Sequence, residues 1–95
     1  MTYDRLVFRK HAVQRMFQHG ISAVDVHHVF KNGEVIEDYA DDTPYPSRLV
    51  LGWCGLRPIH VVAADNHDDQ ETIIITTYEP DPHRWELDFK RRKVS

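Results

Sequence analysis

The chain has 95 residues, 41% of them hydrophobic and 28% charged, and a formal net charge of −3 at pH 7. This length fits one hydrophobic core, so we expect a single domain over residues 1–95. No apolar run reaches the roughly 18 residues that a membrane span needs. The single cysteine, Cys54, excludes an internal disulfide framework. These features predict a cytoplasmic protein without membrane association.

Two short helices are predicted in the first third of the chain. Apolar residues recur at helical spacing over residues 10–19, and Gly20 follows where a left-handed residue ends many helices. Ser22, with Asp25 three positions later, is typical of a capping box that begins a second helix. This second helix is expected to stop at Asn32-Gly33. Its expected buried residues are Ala23, Val26, Val29 and Phe30.

The pattern after Gly33 indicates four strands joined by short polar connections. The predicted strands are Val35 to Tyr39, Arg48 to Cys54, Pro58 to Ala64 and Thr72 to Tyr78. Residues 40–46 are expected to form an outward flap, and Asp81-Pro82 favours a short C-terminal helix or tail. The expected fold is therefore α+β: two N-terminal helices, then a four-stranded, mainly antiparallel sheet, then that helix or tail.

Charges are segregated along the chain. Basic residues cluster near both ends, and acidic residues cluster in 34–42 and 65–71. A polyanion bound to this protein would have to avoid the acidic loops. The terminal run Lys90 to Lys93 is either a contact for nucleic acid or a solvated tail.

His11 and Arg15 are four residues apart and share one face of the first helix. An imidazole beside a guanidinium suits a phosphate group, since arginine binds it through two N–H groups and histidine transfers protons near pH 7. Lys10 adds charge at the start of the same helix. A solvated helix surface without function explains the same residues.

His60 lies between Ile59 and Val61 in a strand, where a polar ring must find a hydrogen-bond partner or face a cleft. Antiparallel pairing around the loop 65–70 would place it opposite Thr76, with Tyr78 on the same face. These residues form either a reactive surface or a structural histidine bonded to the threonine. Arg84 follows shortly after Tyr78 and would reach a phosphate bound there.

Metal ligation is not expected. His27-His28 are adjacent on a helix and so point apart, and the polar run 65–69 is typical of a turn. The sequence also lacks a phosphate-binding glycine loop, a serine elbow and a paired thiol motif.

Several segments resemble the family called domain of unknown function 4258, over Phe8 to Tyr78. This family is similar in outline to small bacterial toxins of the RelE, BrnT and MqsR kind. The resemblance implies messenger RNA cleavage and neutralisation by a cognate antitoxin protein, often a zinc-ribbon, helix-turn-helix type. Its motif residues correspond to His11, Arg15 and His60. The matching segments are Phe8 to Met16, Gly20 to Ser22, Gly33 to Tyr39, Leu49 to Gly52, Pro58 to Val62 and Ile75 to Tyr78.

The leading functional hypothesis is a toxin that cleaves RNA without metal or cofactor, through attack of the ribose 2′-hydroxyl on the adjacent phosphate. His60 is the predicted general base or acid, and His11 or Tyr78 is its complement. Stabilisation of the phosphorane is assigned to Arg15 and Arg84. Thr76 and Lys10 complete the predicted substrate-binding set.

Two other hypotheses remain. The first is a non-enzymatic protein-binding module, or a degenerate toxin-like homodimer with structural histidines, which agrees better with the net negative charge. The second is general nucleic-acid binding through the basic ends.

Overall fold

The computed structural model describes residues 3–94. These residues form five strands and two helices within one sheet-based fold. The elements are β1 (Leu6–Phe8), α1 (Lys10–His19), α2 (Ala23–Asn32), β2 (Glu34–Tyr39), β3 (Ser47–Cys54), β4 (Arg57–Asn66) and β5 (Glu71–Tyr78). The strand order is β1-β5-β4-β3-β2, with β1 parallel to β5 and the other neighbours antiparallel.

The predicted fold class was wrong about the sheet. The helices lie between β1 and β2 rather than before all strands, and the sheet is five-stranded and mixed rather than four-stranded. The additional strand β1 has three residues, too few to show the alternation that identifies strands in a sequence. Its partner, β5, begins at Glu71, so no local turn indicates the pairing.

The predicted helix boundaries are confirmed by the backbone. Gly20 adopts a left-handed conformation with φ 62°, and the Ile21 N–H donates to the Met16 carbonyl at 2.9 Å. Ser22 and Asp25 form the reciprocal capping box, with both bonds at 3.0 Å. These two features give the chain a sharp corner between α1 and α2.

Both helices pack on one face of the sheet, α1 against β5 and α2 against β3 and β4. The expectation that Ala23 is buried was wrong, because this first residue of α2 is exposed, whereas Val26 and Val29 are fully buried. The hydrophobic core lies between this face and the helices. Its buried members are Ala12, Ile21, Val26, Val29, Val50, Ile59, Val61, Ala63 and Ile74.

The opposite face of the sheet is covered by the chain that follows β5. Trp85 is 4% exposed there, and its backbone bridges to Arg92. Residues 85–92, which we call the C-terminal strap, therefore form a loop, which agrees with the tail and not with the helix of the two predicted alternatives. Phe89 has φ 57°, which interrupts a right-handed helix, and the Asp88 carboxylate accepts the Lys90 N–H at 2.9 Å.

The register between β4 and β5 also differs from the predicted one. His60 is opposite Tyr78, and Thr76 is opposite Val62. Two features cause the difference. The strands extend further into the connecting loop, to Asn66 and Glu71, and a bulge lies next to Val62.

Gly52 provides a test of helix–sheet packing. A Cβ atom at this position would lie 2.8 Å from the Cα atom of Val29 on α2. Since a backbone atom must move to admit the methyl group, Gly52→Ala is expected to reduce the free energy of unfolding by about 1–3 kcal/mol. Urea denaturation measures this. The control Val24→Ala, at an exposed helix position, should change it by less than about 0.5 kcal/mol; equal stability of the two variants would contradict the packing account.

Candidate functional site

A cleft of about 360 Å³ lies where the end of α1, the end of β5 and the C-terminal strap meet. Each element contributes side chains because it ends or turns there. The lining residues are Arg15, His19, Tyr78, Glu79, Asp81, Arg84, Trp85 and Arg92. One cleft is thus lined by a tyrosine and three arginines: Arg15 on α1, Arg84 after β5 and Arg92 on the C-terminal strap.

The arginines differ in how firmly they are held. Arg15 Nη1 donates to Gln18 Oε1 at 3.2 Å, and Arg92 Nε lies 3.5 Å from a Glu37 carboxylate oxygen. The Arg92 guanidinium also lies over the Trp85 ring, 4.7 Å from its centroid. Within residues 3–94, neither Arg15 nor Arg84 forms an ion pair. These two cations are therefore available to an anionic ligand.

His60 lies beneath the tyrosine and is fully buried. Its Nε2 is 2.8 Å from the Phe89 carbonyl oxygen, which can only accept, so Nε2 carries the proton. Nδ1 is then the acceptor for the Tyr78 hydroxyl, at 3.3 Å. The Trp85 ring packs edge-on to the imidazole with centroids 4.5 Å apart. Both ring nitrogens are thus occupied, and the imidazole is closed off from a ligand in the cleft.

Burial controls the ionisation of this pair. Desolvation lowers the pKa of His60 below 6.5 and raises the pKa of Tyr78 above 10.0. Nearby Arg92 acts in the same direction on His60 and opposes the shift at Tyr78. At neutral pH the pair is therefore an uncharged imidazole and a protonated phenol. The 3.3 Å bond is long for a hydroxyl donor, so it holds the phenol loosely.

His19 is a half-buried residue at the end of α1 that also lines the cleft. Its pKa is lowered from 6.5, first by burial and then by the positive charge of Arg15. Arg57 on β4 fixes this end of the helix, donating to the His19 carbonyl and, at 2.9 Å, to the Gly20 carbonyl. Arg57 also pairs with Glu79 at 2.9 Å. His19 is thus a neutral base held at the edge of the cleft.

Of the residues predicted for the site, the structure brings three together in the cleft: Arg15, Tyr78 and Arg84. His60 supports Tyr78 from below, and Thr76 is a half-buried residue two positions earlier on the same strand face. Their catalytic and substrate-binding roles stay predictions.

His11 and Lys10 are exposed on α1 and do not line the cleft. Five lining residues were not among the predicted site residues: His19, Glu79, Asp81, Trp85 and Arg92. His19 follows Arg15 by four residues, so helical spacing was a usable signal for it. Arg92 belongs to a basic run whose path across the sheet had no sequence signal.

Within residues 3–94, no group of three or more histidine, cysteine, aspartate or glutamate side chains is arranged so that it could hold a metal ion. The Cys54 thiol is half-buried, and burial, followed by the charge of Asp25, raises its pKa. Neither helix described is long and apolar enough to cross a membrane.

The arrangement of the cleft suits an anion about the size of a phosphate group. Two unpaired guanidinium groups supply charge, the phenol supplies a proton or hydrogen bond, and His19 supplies an acceptor. Glu79 and Asp81 also line the cleft, but Glu79 is paired with Arg57 and Asp81 accepts the His83 N–H at 2.8 Å.

Comparison with known proteins gave one match. A family model described as a domain of unknown function, DUF4258, matches residues 8–79. No curated protein and no solved structure matches the chain significantly.

The buried histidine predicts a pH dependence of stability. Because its pKa is lower in the folded than in the unfolded chain, the unfolded state binds the extra proton below about pH 6.5. The free energy of unfolding should therefore be fully retained above that pH and fall as the solution is acidified towards pH 5. Denaturation midpoints at half-unit pH intervals measure the slope. In His60→Gln the slope should be smaller, whatever the absolute stability; an identical slope would mean that His60 binds its proton equally well in the folded and unfolded chain.

Proposed function

The chain belongs to the DUF4258 family, and we propose that it is a toxin-type endoribonuclease that cleaves RNA without a metal ion. One observation carries the proposal: three arginines and the neutral His19 line one cleft together with Tyr78. The cytoplasm is the proposed location, since RNA is the proposed substrate.

Binding of the scissile phosphate is assigned to the arginines. A guanidinium donates two parallel N–H groups to phosphate oxygens, and the negative charge grows in the phosphorane as the 2′-oxygen attacks. Arg15 and Arg84 have no competing ion pair in residues 3–94, so they can turn to the ligand at little cost. Arg92 is fixed by Glu37 and Trp85 and serves as a stationary charge.

Proton transfer is assigned to His19 and Tyr78. His19 takes the proton of the ribose 2′-hydroxyl, and the 2′-oxygen forms a bond to phosphorus while the bond from phosphorus to the 5′-oxygen breaks. Tyr78 donates its proton to that 5′-oxygen. The products are a 2′,3′-cyclic phosphate and a 5′-hydroxyl, and the proton on His19 returns to the Tyr78 phenolate. The surrounding arginines stabilise that phenolate.

His60 acts in this scheme as a positioning residue rather than by direct proton transfer. Its protonated Nε2 is held by the Phe89 carbonyl, which leaves Nδ1 facing the phenol as an acceptor. The phenol is thereby oriented while free and can rotate to a ligand oxygen when RNA binds. A cognate antitoxin protein is the proposed partner of the toxin, as its family resemblance implies.

A second candidate function, a non-catalytic protein-binding module that forms a homodimer, is favoured by one surface. Phe17 is 85% exposed and lies with Val13 and Met16 along an apolar groove of about 400 Å³ at the corner between the helices. Exposed apolar surface of this kind is typical of interaction sites. This alternative requires that the chain self-associates, that Phe17→Asp makes it monomeric, and that RNA remains intact.

The first test of the nuclease is a pair of small substitutions in the cleft. Tyr78→Phe removes only the hydroxyl, and Arg84→Ala removes an exposed cation, so both variants should fold. Each is expected to lower the rate of RNA cleavage by about a hundredfold or more, because a proton donor or a charge stabiliser is lost. Cleavage of labelled RNA in a chelating buffer, followed by identification of the 2′,3′-cyclic phosphate ends, measures this.

Arg5→Ala is the matched control, since Arg5 is an exposed arginine that lies far from the cleft. It precedes β1, which pairs with the start of β5, whereas Tyr78 is at the end of β5. It should cleave RNA at the rate of the intact chain. Induced expression in bacteria gives a second readout: the intact chain and Arg5→Ala should arrest growth, and Tyr78→Phe should not. Absence of both cleavage and arrest for the intact chain would end the nuclease proposal.

The role of His19 predicts the shape of the pH profile. Because its pKa is lowered, the neutral base is present at pH 7 and is lost only below 6.5. The logarithm of the cleavage rate should rise with pH on the acid side, with a midpoint below 6.5, and then level off. In His19→Gln the rate should be at least about a hundredfold lower and this limb absent. If the cleavage rate of His19→Gln still rises with pH in the same way, the general base is another group.

A further inference from the structure

We propose that Trp53 stacks on a nucleobase of the RNA strand whose phosphate occupies the cleft, at a second pocket at the sheet edge beside the start of β2. This inference rests on the proposed function in taking RNA as the ligand. It adds a base-binding site to a cleft that by itself contacts only a phosphate.

Trp53 is unusual in its exposure. Its side chain is 42% exposed, whereas the other tryptophan, Trp85, is 4% exposed. It lines a pocket of about 210 Å³ between the end of α2 and the start of β2. That volume suits one flat ring system rather than a peptide segment or a larger ligand. An exposed indole face beside such a pocket is a stacking surface for any nucleobase.

The wall of the pocket carries groups that match the edge of a base. Asn32 Nδ2 donates to the His28 carbonyl at 3.1 Å, and its Oδ1 accepts no hydrogen bond from residues 3–94. Glu34 also lines the pocket, and its carboxylate is an acceptor now paired with Lys90 at 2.8 Å. Nucleobases present amino donors at their edges, which these two oxygens can accept.

The Trp53 side chain lies on the same face of the sheet as His60. Leu51 is opposite His60 in the β3–β4 register, and Trp53 is two residues further along β3, so its side chain shares that face. Direct contacts confirm the connection. The Trp53 and Phe89 rings are 5.9 Å apart in an edge-to-face arrangement, and the Phe89 carbonyl accepts from His60 beneath Tyr78. The wall of the pocket that α2 forms belongs to the other, helix-covered face, so the pocket opens at the sheet edge beside β2.

The C-terminal strap carries a positive charge to each of the two pockets. Lys90 pairs with Glu34 on the Trp53 side, and Arg92 lines the cleft. These ion pairs are exposed, and exposed pairs are weak, so the phosphates of a strand can replace the carboxylates as partners. Aromatic surface next to a basic track is the pattern of single-strand binding. A protein partner at Trp53 would not require this charge.

The test uses a single-stranded 2′-O-methyl hexanucleotide, which lacks the attacking hydroxyl and therefore reports binding without cleavage. Fluorescence polarisation gives the dissociation constant. Trp53→Ala is expected to weaken binding by about tenfold, and Trp53→Phe, which retains a ring, by less than about threefold. The intact chain should also show quenched tryptophan emission on binding, and Trp53→Phe should lose most of that quenching, since Trp85 is buried.

A series of the same oligonucleotide with one abasic position at a time assigns the contact. Loss of one particular base should weaken binding to the intact chain but have no effect on Trp53→Ala. Phe17→Ala, at an exposed aromatic residue on α1 outside both pockets, should bind like the intact chain. Circular dichroism melting confirms that the variants are folded.

The outcomes separate this proposal from the nuclease. If the intact chain binds the hexanucleotide through Trp53 but leaves unmodified RNA intact, the stacking site stands and the nuclease proposal fails. If RNA is cleaved but Trp53→Ala binds as tightly as the intact chain, the stacking site is refuted alone. If the intact chain is a dimer, and Trp53→Ala is a monomer that binds the oligonucleotide with unchanged affinity, then Trp53 is an interface residue and the proposal is overturned.

Discussion

One buried hydrogen bond, from His60 Nε2 to the Phe89 carbonyl, determines how the functional face of the sheet is built. The helices cover only the other face, so a fully buried imidazole here needs a partner from elsewhere in the chain. The C-terminal strap supplies it by folding back over β4 towards β3 and β2, and Trp85 closes the space over the ring. The same path brings Arg84 and Arg92 to Tyr78. The cleft is therefore a consequence of satisfying the histidine.

Local signals in the sequence predicted the local structure well. Gly20 and the Ser22–Asp25 box gave the helix boundaries because capping chemistry is complete within a few residues. Strand β1 was missed because its three residues pair with β5, which is distant in the sequence. The bulge beside Val62 was missed for a similar reason: a one-residue insertion leaves the composition of the strand unchanged.

The candidate site was predictable in part. Tyr78, Arg84 and Arg15 were selected for chemical type and position, and the structure places them in one cleft. The position of His60 in an apolar strand indicated correctly that its ring needs hydrogen-bond partners. The same position does not distinguish a reactive ring from a buried one. Arg92 could not be placed, since its position depends on the irregular path of the strap, and turns of that kind leave no periodic pattern.

The net charge of −3 is compatible with an RNA-binding cleft because the charges are distributed unevenly. Of the two carboxylates that line the cleft, Glu79 holds Arg57, which fixes the end of α1, and Asp81 accepts the His83 N–H. Glu37, outside the lining, holds Arg92. Arg15 and Arg84 thus contribute their charge to a ligand largely uncompensated by these pairs. Overall charge governs long-range attraction, whereas the field within a cleft depends on the groups lining it. The RNA strand proposed as the ligand would therefore associate slowly and be held through a few short-range contacts, which is a reason for the proposed stacking residue to accompany the arginines.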